Sequence, residues 1–207
     1  MSHLMLERIL IVLLMFSGGT LTGVNMVDPE PVVVQELDYP DTRAFFVNRL
    51  AEQFGKADTV LLGDSLIELA DFRHACGRTF NGGIGGGRIS DIVQHGPHIL
   101  EHTKPETVVL AIGANHFILG DEIELFRDTY PALVDSLSNY RLVLVGVQNS
   151  AAADAFVRKE ARRIGAPYVA PIDGPFLEDG LHHAEEGKRN YRRAVQSGCA
   201  ALERPQA

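Results

Sequence analysis

The sequence has little positive charge, few cysteines and no tryptophan. Its 207 residues carry 19 Lys and Arg against 27 Asp and Glu, which gives a formal net charge of −8. Because no run of Lys or Arg is present to attract phosphates, we expect no nucleic-acid partner. Tryptophan is the commonest side chain for stacking on sugars, so its absence mildly disfavours a carbohydrate substrate.

The two cysteines, Cys76 and Cys199, have no spacing typical of a zinc or redox motif. A disulfide needs a specific geometry that the sequence alone does not supply. The sequence therefore leaves their pairing open. It favours the interpretation that both cysteines are ordinary buried thiols.

The N-terminus carries a pattern typical of a secretory signal. Arg8 precedes an apolar run over residues 9–16, and small residues follow. The uncharged stretch continues to Val27, which also fits an uncleaved membrane anchor. We predict that residues 1–24 are a signal peptide or an anchor, so that the protein is exported (periplasmic or extracellular) or membrane-anchored. Any membrane association would be through this segment only. A true start at Met26 would instead make the protein cytoplasmic.

Residues 25–40, with their prolines, read as a linker, and residues 41–207 as one domain. Asp41 suits the N-cap of a first helix that ends at Gly55. Short apolar runs then alternate with helical stretches. The predicted strands are 59–62, 78–80, 107–112, 141–147 and 168–170, and the predicted helices are 89–100, 122–137, 152–164 and 185–202. Continuous apolar runs indicate strands covered on both faces. The sequence therefore predicts an α/β fold, a three-layer α/β/α sandwich with a mostly parallel five-stranded sheet.

Polar or glycine-rich clusters follow the predicted strands. The four clusters are Gly63-Asp64-Ser65, residues 81–87, Gly113-Ala114-Asn115 and the Asp179–His182 loop. Each cluster alone is weak evidence, because glycine, aspartate and asparagine are common in turns. The glycine-rich segment does not have the spacing of a dinucleotide-binding or phosphate-binding loop, so we expect no cofactor. Carboxyl ends of parallel strands meet at one edge of a sheet, which is where an active site belongs.

Taken together and in this order, the clusters resemble those of the SGNH hydrolases, also called GDSL-type esterases. The resemblance covers residues 57–200, and it implies a flavodoxin-like α/β/α sandwich. It implies that Ser65 is the nucleophile and that Asp179 and His182 complete a catalytic triad. It also implies an oxyanion hole made of the backbone N–H groups of Ser65 and Gly86 and the side chain of Asn115.

The roles of these residues follow from acyl-transfer chemistry. His182 takes the proton of the Ser65 hydroxyl, and Asp179 orients the imidazole, with an acyl-enzyme intermediate and no metal or cofactor. His183 remains an alternative base. This sequence has His116 where family members often carry Asp, and His183 where they often carry Pro. These departures affect the substrate preference more than the class of reaction.

The expected function is therefore that of a serine esterase acting on a short-chain acyl ester, including an O-acetyl ester. The substrate would be a small-molecule, glycan or lipid ester. Few residues separate Ser65 from Asn81, which leaves little room for a lid over a long acyl chain. Two alternatives stay open, an O-acyltransferase that uses the same triad and a non-catalytic binding module on the same fold.

Three histidines, His95, His98 and His102, have spacings that would place them on one side of a helix, where they could bind a metal. Gly96 and Pro97 fall between them and are expected to interrupt that helix. The sequence therefore predicts a solvated helix edge at this place and no metal site.

Overall fold

The structure is a computed structural model that describes residues 38–203, which form five strands and seven helices. In chain order they are α1 (Tyr39–Phe54), β1 (Thr59–Gly63), α2 (Ser65–Glu68), β2 (Thr79–Gly83), α3 (Ile89–Thr103), β3 (Thr107–Ala111), α4 (Ala114–Ile118), α5 (Ile123–Ser136), β4 (Arg141–Val145), α6 (Ala151–Ile164), β5 (Tyr168–Val169) and α7 (Glu185–Leu202). The predicted signal or anchor segment, 1–24, lies outside the described residues. Within residues 38–203, no helix has the length and apolar character needed to cross a membrane.

All neighbouring strands of the sheet are parallel, in the order β2-β1-β3-β4-β5. This is the flavodoxin-like strand order. The chain reverses its direction across the sheet between β1 and β3, and the crevice at the carboxyl ends of two such strands is the usual ligand site. The predicted α/β/α sandwich with a parallel five-stranded sheet is confirmed.

The two faces of the sheet form two separate apolar cores, because successive strand side chains point to opposite faces. Val60 and Leu62 of β1 belong to the larger core, with side chains of α1, α3, α5 and α6. Leu61 belongs to the smaller core, with side chains of α2 and α7 such as Ile67 and Val195. The apolar runs from which the strands were predicted therefore contribute side chains to both layers between the sheet and the helices.

Helix α1 begins earlier than the sequence indicated. Asp38 is the N-cap, and its side chain accepts a hydrogen bond from the Asp41 N–H. Asp41, which was predicted as the cap, lies in the first turn, and Tyr39 and Pro40 of the predicted linker are helical. Proline fits the start of a helix, since the N–H that it lacks would have no helical partner there.

Helix α3 is continuous from Ile89 to Thr103, so the predicted break at Pro97 is wrong. Proline inside a helix costs about 3 kcal/mol. Three apolar side chains of this helix, Ile92, Ile99 and Leu100, are buried in the larger core. Each contributes about 1.5–3 kcal/mol, which outweighs the cost of the proline.

Cys76 and Cys199 form a disulfide, with their Cα atoms 6.0 Å apart. The favoured interpretation of two buried thiols is therefore wrong. Cys76 lies in the loop before β2, and Cys199 lies near the end of α7. The bond joins positions 123 residues apart, a proximity that only the packing of α7 against the sheet produces.

Candidate active site

Ser65 is the first residue of α2 and lies at the carboxyl end of β1, at the crevice between β1 and β3. The preceding residue, Asp64, is the N-cap, and its buried carboxylate accepts a hydrogen bond from the Leu66 N–H at 3.0 Å. The N–H groups of Gly113 and Ala114 also donate to this carboxylate. Asp64 therefore connects the Ser65 loop to the loop after β3.

Burial raises the pKa of Asp64 to about 6, although its backbone hydrogen bonds act in the opposite direction. The sequence pattern did not indicate a role for Asp64. The available signal was an aspartate directly before a short helix, a position that favours capping side chains.

His182 and Asp179 form a hydrogen-bonded chain with Ser65. The His182 Nε2 lies 2.8 Å from the Ser65 Oγ, and the His182 Nδ1 lies 2.6 Å from an Asp179 carboxylate oxygen. With the proton on Nδ1, His182 donates to Asp179 and accepts the hydroxyl proton of Ser65. The hydrogen bond from His182 and the N–H groups of Leu181 and His182 lower the pKa of Asp179 to about 2. Asp179 is therefore ionised at neutral pH.

Backbone hydrogen bonds hold the loop that carries these two residues. The Leu177 N–H donates to the His182 carbonyl at 2.7 Å, and the Ala184 N–H donates to the Pro175 carbonyl at 3.0 Å. These bonds close the loop on itself around His182, although it has little regular secondary structure.

His183, the alternative base, makes no hydrogen bond to Ser65. Its ring is buried, stacks on Phe176 and forms no hydrogen bond with any residue in the described part of the chain. Burial lowers the pKa of His183. The structure thus brings His182, and not His183, to Ser65.

The glycine-rich segment presents an N–H group that lacks an acceptor within residues 38–203. The Gly85 N–H donates to Glu68 at 2.6 Å and the Gly87 N–H donates to the Ile84 carbonyl at 2.9 Å. The intervening residue, Gly86, is exposed, and its N–H has no acceptor among residues 38–203. Gly86 has a φ of 73°, a left-handed conformation that favours glycine. This conformation leaves the Gly86 N–H free to bind an anion.

Glu68, at the end of α2, holds this segment in place. One of its carboxylate oxygens accepts the Gly85 N–H, and the other accepts the Tyr39 hydroxyl at 2.6 Å and lies 3.1 Å from the Arg43 Nε. Arg43 also donates to the Gly83 carbonyl at 3.0 Å. Sequence reasoning did not identify Glu68, because its partners are far from it along the chain.

Asn115 is buried at the start of α4, directly beyond β3. Its Nδ2 donates one hydrogen bond to the Gly87 carbonyl at 2.8 Å. A side-chain amide has two N–H donors, so one remains for a ligand. The predicted oxyanion donors Gly86 and Asn115 therefore belong to adjoining loops that are hydrogen-bonded to each other.

His116, the departure from the usual sequence pattern, bridges the same loops. Its Nε2 accepts the Ile89 N–H at 3.2 Å, and its Nδ1 lies 3.0 Å from an Asp121 carboxylate oxygen. Burial lowers the pKa of His116 despite the Asp121 carboxylate. The neutral ring fits this position, since Nε2 must carry a lone pair to accept from Ile89. His116 thus connects the loop of Asn115 to the start of α3.

The pocket beside Ser65 is small. It has a volume of about 30 Å³ and is lined by Ser65, Leu66, Leu69, Leu177, His182, His183 and Lys188. A larger apolar groove of about 740 Å³ lies between α3 and α5. Neither Ser65 nor His182 lines that groove, so it is not an extension of the candidate site.

The parallel α/β/α sandwich is similar to the folds of solved structures described as GDSL-like lipases and acylhydrolases. A Bacteroides fragilis protein assigned as an acylhydrolase is 16% identical, with 82% of this chain and 100% of that chain covered and a TM-score of 0.67. A GDSL-like lipase from Bacteroides thetaiotaomicron is 12% identical, with 79% of this chain and 99% of that chain covered and a TM-score of 0.62.

A third similar structure is a two-domain esterase active on acetylated mannans, with 20% identity and a TM-score of 0.58. The match covers 78% of this chain and 53% of that longer chain. Neither protein-family models nor curated sequences match this chain. At these identities the likeness establishes the fold, which is the α/β/α sandwich that the resemblance to the SGNH hydrolases implied.

Proposed function

We propose that this protein is a serine esterase that hydrolyses a short-chain acyl ester through a Ser65-His182-Asp179 triad. The observation that carries the proposal is the hydrogen-bonded chain from Ser65 Oγ through both ring nitrogens of His182 to Asp179. A histidine between a serine hydroxyl and an ionised carboxylate is the arrangement that activates a serine for acyl transfer.

In the proposed reaction, the Ser65 oxygen attacks the ester carbonyl while His182 takes the hydroxyl proton. The negative charge on the carbonyl oxygen is stabilised by the N–H groups of Ser65 and Gly86 and by the free amide N–H of Asn115. His182 then returns the proton to the leaving alcohol. A water molecule, deprotonated by His182, hydrolyses the acyl-enzyme, and Asp179 stabilises the charged ring in both steps.

A short acyl group fits the space beside the nucleophile. The pocket of about 30 Å³ has room for an acyl group of about methyl size. A similar solved structure is an esterase active on acetylated mannans, which supports an O-acetyl group on a glycan as one substrate. The proposal also covers small-molecule and lipid esters with a short acyl group.

The disulfide supports an exported protein. Disulfides such as Cys76–Cys199 form and persist mainly outside the cytosol. We therefore propose that residues 1–24 are a signal peptide or an anchor that leads the domain into an oxidising compartment.

The proposal is tested by labelling with a fluorophosphonate probe and by turnover of p-nitrophenyl acetate. Wild type is expected to label and turn over, and Ser65→Ala to lose labelling and at least about 10⁴-fold in kcat. Ser90→Ala is the matched control, because Ser90 is an exposed serine in the first turn of another helix, α3. Full activity in Ser65→Ala, or no labelling of wild type, would overturn the proposal.

The same assay separates hydrolysis from acyl transfer to a sugar. With a sugar acceptor present, a hydrolase releases the acid at an unchanged rate. Diversion of most of the acyl group to the sugar would instead identify an O-acyltransferase, and an absence of any turnover would identify a binding module.

A further inference from the structure

A second group of metal-binding side chains lies away from Ser65, on helices α1 and α3. It consists of Glu52, His98 and His102, and one ligand atom of each lies within 4.8 Å of the other two. The His98 Nε2 is 3.2 Å from a Glu52 carboxylate oxygen. The ring centroids of His98 and His102 are 4.4 Å apart.

The continuity of α3 brings these residues together. Residues four apart on a helix share a face, so His98 and His102 are neighbours once Pro97 does not interrupt the helix. Glu52 reaches them from the last turns of α1, which packs against α3. The sequence-based exclusion of a metal at these histidines depended on a helix break that is not present.

We propose that Glu52, His98 and His102 bind a zinc ion. Two imidazoles and one carboxylate are a ligand set that zinc takes in proteins, with water as the fourth ligand. In a tetrahedral site with metal–ligand bonds of about 2.0–2.1 Å, neighbouring ligand atoms are about 3.3 Å apart. The 3.2 Å separation of His98 Nε2 and the Glu52 oxygen matches that spacing.

The carboxylate of Glu52 is already oriented toward the histidines. The Arg49 guanidinium donates to one carboxylate oxygen at 2.8 Å, and the other oxygen faces His98. A hydrogen bond to the non-ligating oxygen is the usual support of a metal-binding carboxylate. All three side chains are at least partly exposed, so zinc can enter from solvent.

The proposed zinc site is separate from the candidate active site. His98 and His102 lie about 14 and 20 Å along α3 from Ile89, at 1.5 Å per residue. Ile89 is at the end of α3 that adjoins the candidate active site through His116. The zinc ion would therefore join α1 to α3 at the opposite end of that helix, without contact with Ser65.

The test is zinc titration of the metal-free full-length chain by calorimetry, together with thermal unfolding. Wild type is expected to bind one zinc ion at this site, and its Tm to rise by about 5–10 °C at a zinc concentration of about 100 times Kd. His98→Ala and His102→Ala are each expected to weaken binding by about 100-fold and to lose the Tm increase. Glu52→Gln is expected to weaken binding in the same way.

Two control variants have side chains outside the cluster. Glu101→Gln removes an exposed carboxylate next to His102, and His74→Asn removes an exposed histidine of a distant loop. Both are expected to bind zinc as wild type does, and unfolding in EDTA checks that every variant folds. The proposal is wrong if wild type binds no zinc, if it binds copper but not zinc, or if the His98 and His102 variants retain wild-type affinity.

Discussion

Two buried polar side chains, Asp64 and Asn115, determine how the loops at the active site meet. The Asp64 carboxylate accepts from the loop of Ser65 and from the loop after β3. The Asn115 amide donates to the glycine-rich segment and keeps one N–H free. Buried polar groups are costly unless they are hydrogen-bonded, so each side chain stabilises one arrangement of the loops around Ser65.

Removal of the Asn115 amide tests its role as an oxyanion donor. We expect Asn115→Ala to lower kcat for p-nitrophenyl acetate by about 10²–10³-fold with little change in KM, because the donor acts on charge that develops in the transition state. Asn149→Ala is the control, since Asn149 also donates to a loop carbonyl, that of Ala114. A fall in kcat of similar size in Asn149→Ala would show that the effect comes from the loop structure and not from a lost oxyanion donor.

The titration of Asp64 makes stability depend on pH. In the folded protein the pKa of Asp64 is about 6, above the ordinary value of 3.8, because the carboxyl is buried. A proton that the folded state binds more tightly than the unfolded state stabilises the fold. The contribution of Asp64 to stability is therefore fully present below about pH 4 and is lost as the pH rises to about 6. We expect the free energy of unfolding of wild type, relative to Asp64→Asn, to fall by about 3 kcal/mol over this range.

Urea unfolding at several pH values measures this difference. The difference is expected to be constant above about pH 7. Equal differences at pH 4 and pH 7 would show that Asp64 has the same pKa in the folded and unfolded states.

At the scale of elements, the helix that carries the nucleophile is too short to be stable by itself. Helix α2 has four residues, and isolated helices of that length do not form in water. Its position depends on the Asp64 cap, on Glu68 and on Asn81, whose Nδ2 donates to the Ile67 carbonyl at 2.8 Å. Helix α2 and the glycine-rich segment therefore form one hydrogen-bonded unit.

A substitution at Glu68 tests this unit. In Glu68→Gln, the amide group must face either the Gly85 N–H or the Tyr39 and Arg43 donors, so one set of donors loses its acceptor. We expect kcat to fall by about 10-fold, since a hydrogen bond to a charged group contributes about 1.5–3 kcal/mol.

Two comparisons show whether the effect acts through the glycine-rich segment. Tyr39→Phe removes a single donor to Glu68 and is expected to have a smaller effect. Glu124→Gln, at an exposed ion pair with Arg127, is expected to leave kcat unchanged. An unchanged kcat in Glu68→Gln would show that Glu68 does not position the oxyanion donors.

At the scale of the whole molecule, the disulfide joins the C-terminal helix to the loop before β2. Its partners are 123 residues apart, so it restricts most of the domain in the unfolded state. A loop of about 100 residues corresponds to about 4.7 kcal/mol of stability in the chain-entropy account.

We expect the double variant Cys76→Ser/Cys199→Ser to melt about 10 °C below wild type, because the unfolded chain gains conformational freedom. Calorimetry with and without reductant measures this difference. Reductant is expected to lower the Tm of wild type and to leave that of the double variant unchanged. An equal Tm for both proteins would show that the disulfide adds no stability.

The sequence by itself determined the layers of the fold and the chain positions of the candidate site. Apolar runs predicted four of the five strands, because burial on both faces of a sheet requires continuous apolar residues. The fifth, predicted at 78–80 on a weaker pattern, is β2 and extends to Gly83. The order of the clusters, through their resemblance to the SGNH hydrolases, implied Ser65, Gly86, Asn115, Asp179 and His182. The structure places Ser65, His182 and Asp179 in one hydrogen-bonded chain.

Only the tertiary structure decided the contacts between groups that are distant along the chain. The disulfide, the cluster of Glu52 with His98 and His102, and the link from Glu68 to Gly85 each join residues on separate elements. The local pattern also gave a wrong prediction at Pro97, where the burial of apolar side chains of α3 outweighs the cost of a proline inside the helix. The physical reason is that periodicity and capping report energies within a few residues, whereas these contacts depend on how helices pack on the sheet.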